Sequence, residues 1–270
     1  MMKAESPSHI LTMSDIDAAL FDLDGVVTDT TTLHIAAWKE LFDGYLKARA
    51  AREHAPFRPF DTEADYRRYV DGKPRSDGVK GFLESRGLSL PYGDSSDEPD
   101  QATICGLGNK KNLIFHKLLH TQGVKVFATS VALIRNLRAH GIKTAVVSSS
   151  KNCAAVLAAA GLSDLFDARV DGVESARLNL PGKPAPDTFL EASRRLGVEP
   201  ARVVVVEDAI AGVQAGRNGK FGLVIGVARA GNRAALLEQG ADVVVEDLAD
   251  MHLSADGDDD PGTPCRFLEH

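Results

Sequence analysis

Cysteine is scarce and never occurs in a metal-binding spacing. Cys105, Cys153 and Cys265 stand far apart, and no Cys-x-x-Cys is present. That excludes a disulfide-stapled scaffold and a cysteine metal knot, and it favours a reducing compartment. Long apolar runs are missing too, and none approaches the length of a membrane span. Residues 1–14 lack an apolar h-region, so no secretory signal is expected and a cytoplasmic location is the default. Positive charge is in deficit. The 31 lysines and arginines face 38 aspartates and glutamates, for a formal net charge of -7. No basic field covers the chain, so neither nucleic acid nor a membrane is an expected partner. A local pocket can still be positive and take a small anion. No internal repeat is evident, and nothing fixes the oligomeric state; a monomer is compatible with the sequence.

What is present is a series of short, β-branched, almost continuously apolar runs. They are AALFDL (18–23), IKTAVVS (142–148), RVVVVE (202–207), GLVIGVA (222–228) and ADVVVE (241–246). Such runs are strands buried on both faces of a parallel sheet. Between them lie helical patterns at 131–140, 153–161, 187–197 and 209–219, each closing on or before a glycine. The alternation predicts an α/β fold with a doubly wound, Rossmann-like parallel sheet. The block 31–122 differs. It has helical patterns at 33–50, 64–70, 78–87 and 109–123, a turn-rich acidic connection at 87–103, and no strand run. It is expected to be an all-helical domain inserted into a core formed by 1–30 and 123–253. The acidic, breaker-rich stretch 254–270 is expected to be a flexible tail, its last three residues resembling a tag remnant.

Ligands of open α/β sheets bind beyond the carboxyl ends of the strands. The first strand is expected to end in Asp22-Leu23-Asp24-Gly25. Two carboxylates two positions apart on a strand face the same side, roughly 6–7 Å apart. The second ends in Ser148-Ser149-Ser150, followed by Lys151-Asn152 and a helix start suited to an anion. Two prolines fix the chain around Lys183 in GKPAPD (182–187), and a further strand ends in Glu207-Asp208. Each feature alone has a plainer reading as a helix cap, a solvated turn or a solvated lysine. Together they place carboxylates, hydroxyls and a lysine at four successive strand ends, where packing requires none of them. Clustered carboxylates repel unless a cation joins them, and hard oxygen ligands suit magnesium. A lysine and hydroxyls beside that cation suit a phosphoryl group.

In this order and spacing the residues resemble the four motifs of the haloacid dehalogenase superfamily. The resemblance implies that Asp22 is the nucleophile and forms an aspartyl-phosphate. Asp24 would be the general acid and base, with its main-chain carbonyl on magnesium. Ser148 would hold a phosphoryl oxygen, and Lys183 would neutralise the nucleophile and the transferred group. Asp208 would bind the metal, Glu207 directly or through water. A loose phosphoryl transition state spreads negative charge over its oxygens, which such a set offsets.

Further residues are similar to the β-phosphoglucomutase-like branch. His34 and Trp38 lie on the first helix after the catalytic strand, Arg75 stands in VDGKPRSDGV (70–79), Lys111 and Asn112 in NKKN (109–112), and Ser150-Lys151-Asn152 form the branch's triplet. These imply a phosphomutase acting on a small phosphorylated sugar, interconverting β-glucose 1-phosphate and glucose 6-phosphate through a bisphosphate. Arg75, Lys151 and Asn152 would hold the phosphate not being transferred. Thr30 and its neighbours would tune the hinge into the cap. Taken singly, Trp38 is as well explained by packing, and Arg75 and Lys111 by solvated charge. Two departures stand out: Ser149 where the branch carries alanine, and the longer connection 87–103. The alternatives are a small-molecule phosphatase of the same superfamily and, more remotely, an inactive phosphate-sensing module.

Overall fold

The computed structural model describes residues 9–71, 73, 75–229 and 231–254. Its strands and helices run in the order β1 (His9–Thr12), β2 (Ala18–Phe21), β3 (Thr28–Asp29), α1 (Thr31–Glu53), α2 (Arg75–Ser85), α3 (Ile104–Gln122), β4 (Lys125–Val126), α4 (Ala128–Ala139), β5 (Lys143–Val147), α5 (Cys153–Ala159), β6 (Ala168–Val170), α6 (Gly172–Leu178), α7 (Asp187–Leu196), β7 (Val203–Glu207), α8 (Ile210–Asn218), β8 (Leu223–Val227), α9 (Arg233–Glu238), β9 (Val243–Val245) and β10 (Met251–Ser254). The chain divides into two compact units. One comprises the residues through Asp29 and from Lys125 onward, and the other is Thr30–Val124.

The first unit is built on a six-stranded parallel sheet in the order β6-β5-β2-β7-β8-β9. Every residue of β2 and β7 is buried, as a strand covered on both faces must be. On one face Ala18, Leu20, Val147, Val203 and Val205 pack with Phe189 and Leu196 of α7, Val213 of α8 and Leu236 of α9. Each valine or leucine so buried contributes on the order of 1.5–3 kcal/mol against the entropy of ordering the chain. The register decides where the site falls. Phe21 pairs with Val146 on one side and with Val206 on the other. The carboxyl ends of β5, β2 and β7 are therefore level. From β2 the chain returns to the sheet on one side as β5 and later on the other as β7, so β2 lies where the topology reverses.

Several elements depart from the expectations. β2 ends at Phe21, so Asp22 and Asp24 are not strand residues. The Asp22 amide still donates to the Val206 carbonyl (3.0 Å), after which the chain turns, the Gly25 amide reaching the Thr28 carbonyl at 2.7 Å. Lys183 lies in the connection before α7 and not on a strand end. β3 and β4 pair antiparallel, Thr28 with Val126 and Asp29 with Lys125. The units part at 29/30 and 124/125, so Thr30, Gly123 and Val124, expected in the sheet unit, fall in the helical one. Ser254, expected to open the tail, pairs with Thr12 in a parallel β1–β10 ribbon. The remainder of the expected tail, 255–270, lies outside the described residues.

The helical unit packs α3 against both α1 and α2, and α2 also contacts a wide π-type turn at Tyr66–Val70. Its core is aromatic. Trp38 stacks on Phe42 at 5.2 Å between centroids, and Phe42 contacts Phe60 and Phe82 at 5.3 and 4.0 Å. Such pairs add about 0.5–1.5 kcal/mol each beyond their buried area. No helix among the described residues is long and apolar enough to cross a membrane.

Candidate active site

The aligned ends of β5, β2 and β7 bring Asp22, Ser148 and Glu207 together, and the loop before α7 adds Lys183. The Lys183 ammonium donates to Asp22 Oδ1 at 2.5 Å, to the Val147 carbonyl at 3.3 Å and to Glu207 Oε1. All three side chains are nearly out of reach of solvent. Phe189 lies beneath the ammonium, 4.9 Å from its ring centroid. Burial alone would lower the lysine pKa. The charges of Asp22 and Glu207 and their hydrogen bonds outweigh it and raise the pKa above its ordinary value. Lys183 is therefore cationic at any physiological pH. Its loop is tied down by the Asn218 amide, which donates to the Pro184 carbonyl at 3.1 Å.

Asp22, Glu207 and Asp208 each offer an oxygen, and these oxygens lie within 4.8 Å of one another. Hard carboxylate donors in this arrangement fit a magnesium- or calcium-like cation and not a soft metal. Burial pushes Glu207 up to about 7, Lys183 opposing and Asp22 adding to the shift. Burial, with Glu207 and Asp22 close by, holds Asp208 well above the usual carboxylate range. So one ammonium does not satisfy the three carboxylates, and a cation among them does. Glu207 is the most committed of the three. Its Oε1 takes Lys183, and its Oε2 accepts from the amides of Asp208 and Ala209 at 3.1 and 3.2 Å.

A prediction follows from these directions. A carboxyl group whose folded pKa is raised contributes stability below its unfolded pKa and loses it as pH rises through the folded value. For Glu207 that window runs from its ordinary 4.5 to about 7. A bound cation removes the penalty. The gain in melting temperature on adding magnesium salt should therefore grow from about pH 5 to about pH 8. A gain that stays constant over that range, or no gain, would contradict a cation at this cluster.

Two glycines make room for the carboxylates. A Cβ on Gly25, at φ +92°, would sit 1.8 Å from Asp208 Oδ2, and one on Gly212 would sit 1.9 Å from Glu207 Cδ. Asn232 donates to the Asp208 carbonyl at 3.1 Å. Arg229 lies over Phe127, its guanidinium carbon 3.8 Å from the ring centroid, with Nε 3.3 Å from the Gly25 carbonyl. The roles of Gly212, Asn232 and Arg229 were not legible beforehand, because each depends on a space or a main-chain contact that only the fold creates.

Asp24 is half-buried. Ser148 Oγ lies 3.5 Å from its Oδ2, long for a hydroxyl bond. The serine hydroxyls also serve their own turn. Ser148 Oγ accepts from the Ser150 amide, and Ser150 Oγ from the Asn152 amide, both at 3.1 Å. Both hydroxyls thus accept within the turn, and the Ser148 hydroxyl hydrogen is directed to Asp24. Ser149 and Lys151 are exposed and Asn152 half-buried in the same loop.

The helical unit brings together His34, Trp38 and Lys111. Lys111 Nζ is 2.7 Å from His34 Nδ1. An ammonium only donates, so Nδ1 accepts and the ring proton sits on Nε2. Burial, then the charge of Lys111, holds His34 well below its usual pKa, and it is neutral. Lys111 itself is only 4 % exposed, sandwiched between Trp38 and Phe115 at 5.1 and 4.9 Å. It is not the solvated charge that its sequence neighbourhood suggests. Trp38 and the fully buried Thr30 present almost no surface to a ligand. Arg75 opens α2, half-buried, and donates to Asn109 Oδ1 at 3.3 Å.

Comparison with known proteins gives these arrangements a family. Residues 16–220 match the haloacid dehalogenase-like hydrolase family. The chain is 49% identical over 251 residues to a β-phosphoglucomutase of Mycobacterium tuberculosis, covering 92% of this chain and 96% of that one. It is 29% identical over 235 residues to a phosphorylated carbohydrates phosphatase of Thermotoga maritima, covering 86% and 94%. Among solved structures, the β-phosphoglucomutase of Clostridium difficile superposes with a TM-score of 0.66 at 26% identity, over 87% of this chain and 92% of that one. The chain belongs to the haloacid dehalogenase-like hydrolase family, in its β-phosphoglucomutase-like branch.

Proposed function

We propose that the protein is a magnesium-dependent phosphomutase that interconverts β-glucose 1-phosphate and glucose 6-phosphate in the cytoplasm, through a bisphosphorylated sugar. The observation that carries this reading is the Lys183–Asp22 ion pair set beside a carboxylate group able to hold a cation. In the first half-reaction the 6-hydroxyl oxygen of β-glucose 1-phosphate bonds to the phosphorus carried on Asp22 as the bond from phosphorus to the Asp22 oxygen breaks, and Asp24 takes the hydroxyl proton. In the second, the bisphosphate presents its other end, an Asp22 oxygen bonds to the phosphorus at C1 as the bond to the sugar oxygen breaks, and Asp24 returns the proton to that oxygen, leaving glucose 6-phosphate. Lys183 is already on Asp22 and offsets charge on the transferring oxygens. Ser148 and its loop offer hydroxyl and amide donors to the same oxygens. Asp22, Asp208 and the Asp24 carbonyl would hold magnesium, with Glu207 in support, and the ion would supply further neutralisation of phosphoryl charge.

Interconversion, unlike hydrolysis, requires a place for the second phosphate, and we assign Arg75, Lys151 and Asn152 to it. His34 and Lys111 are assigned to the sugar. The similarity to a carbohydrate phosphatase supports hydrolysis of a sugar phosphate as the second reading. Phosphorus NMR separates the two. With β-glucose 1-phosphate, magnesium and a trace of glucose 1,6-bisphosphate, the mutase yields glucose 6-phosphate. Free phosphate as the main product would mean a phosphatase, and an unchanged spectrum would overturn both.

A further inference from the structure

The connection 87–103 is joined to Arg75 through Asn109. It folds as a knot on the start of α3. Thr103 Oγ1 donates to Asp97 Oδ2 at 2.5 Å, and the Asp94 amide donates to the same oxygen at 3.1 Å. The amides of Ile104 and Cys105 reach back to the carbonyls of Pro91 and Tyr92 at 2.9 and 3.0 Å. Gly93, at φ +77°, leaves no room for a side chain, since its Cβ would lie 2.0 Å from Asp97 Oδ2. The knot turns the main-chain carbonyls of Ser95 and Asp97 toward α3.

Asn109 receives them. Its Nδ2 donates to the Ser95 carbonyl at 3.1 Å and to the Asp97 carbonyl at 2.8 Å, and its Oδ1 accepts from Arg75 at 3.3 Å. The amide can sit only one way round. Flipped, its oxygen would face two carbonyls and its NH2 would face a guanidinium, both repulsive. Arg75 also lies across Gly108, where an added Cβ would be 3.5 Å from its Cγ and Nε. The planar fork is thus held at one nitrogen by Asn109, and a guanidinium so oriented can meet an anion with its other donors.

We propose that Asn109, tethered by the 91–103 segment, is a positioning residue that aims the Arg75 guanidinium at the non-transferring phosphate of the substrate. The segment then favours sugars that carry a second phosphate. The proposal rests on the assignment of Arg75 made above. Burial supports it, since a partly desolvated guanidinium, its pKa lowered by that burial, gains more from an anion than a solvated one does.

The test is steady-state kinetics on Asn109→Ala, Arg75→Ala and the double variant. Each is assayed with β-glucose 1-phosphate at saturating bisphosphate and with an aryl phosphate, which has no second phosphate. Loss of one hydrogen bond to a charged group should raise KM for the sugar phosphate on the order of tenfold in Asn109→Ala. The loss of kcat/KM on the aryl phosphate should stay within about twofold, and the double variant should match Arg75→Ala, because Asn109 acts through Arg75. Asn109→Asp keeps the size but sets a carboxylate against the two carbonyls. It should raise KM in the same way if the alanine variant folds poorly. A wild-type KM in both Asn109 variants, or losses that multiply in the double variant, would overturn the positioning role and leave the assignment of Arg75 standing. A wild-type KM in Arg75→Ala would overturn both.

Discussion

Asp22→Asn should abolish turnover while the protein remains folded. The amide is almost isosteric, and Lys183 keeps Glu207 as a partner. What disappears is the nucleophile. Removing a group that forms the covalent intermediate costs on the order of 10⁴–10⁶-fold in kcat. The loss should be equal for the sugar phosphate and for an aryl phosphate, because both reactions pass through the same carboxylate. Circular dichroism and a thermal melt would establish that the fold is retained. Activity within a hundredfold of the parent would remove Asp22 from the nucleophile's role.

Lys183→Met should damage both catalysis and stability. The substitution keeps an unbranched apolar chain and deletes the ammonium that lies over Phe189 and is shared by Asp22 and Glu207. Breaking a buried pair from one side leaves uncompensated charge, worth about 3–5 kcal/mol. Here the penalty depends on pH. Without the ammonium, Glu207 and Asp208 stay protonated to higher pH in the folded state than they do now. A raised folded pKa takes stability away as pH rises. The variant should thus approach the parent's stability near about pH 5 and fall away steadily above about pH 7, with magnesium restoring part of the difference. Urea denaturation at several pH values measures this directly. A deficit that is the same at all pH values would mean that Lys183 acts through packing. Catalysis should fall at every pH, since the charge on the transferred group is then less well offset.

The sheet was readable because its strands are buried on both faces. VVVV at 203–206 leaves little other assignment, and its carboxyl end leads straight to Glu207. β1, with HILT, and β6, with ARV, were not readable, being too short and too polar for a run to emerge. β3 and β4 are two residues each and exist only through their pairing. The carboxylates and Lys183 could be named in advance because they are chemically conspicuous beside apolar strands. Their support could not. Gly25 and Gly212 matter for the space they leave, and Asn218 and Asn232 matter for main-chain carbonyls far away in sequence. Lys111 illustrates the same limit. In the sequence NKKN its charge reads as solvated, and only the fold supplies the aromatic slot and the His34 nitrogen that hold it. The connection at 87–103 read as an irregular insertion. Its order comes from Asp97, Thr103 and Gly93 meeting in three dimensions.

The proposed mechanism requires a phosphoryl group on Asp22 during turnover. Acid-quenched protein, taken after brief mixing with glucose 1,6-bisphosphate and magnesium, can be digested and analysed by mass spectrometry. One phosphoryl group on the peptide that contains Asp22, absent from the Asp22→Asn variant, is the result expected. A phosphoryl group on another residue, or an unmodified peptide while the substrate is being converted, would contradict it.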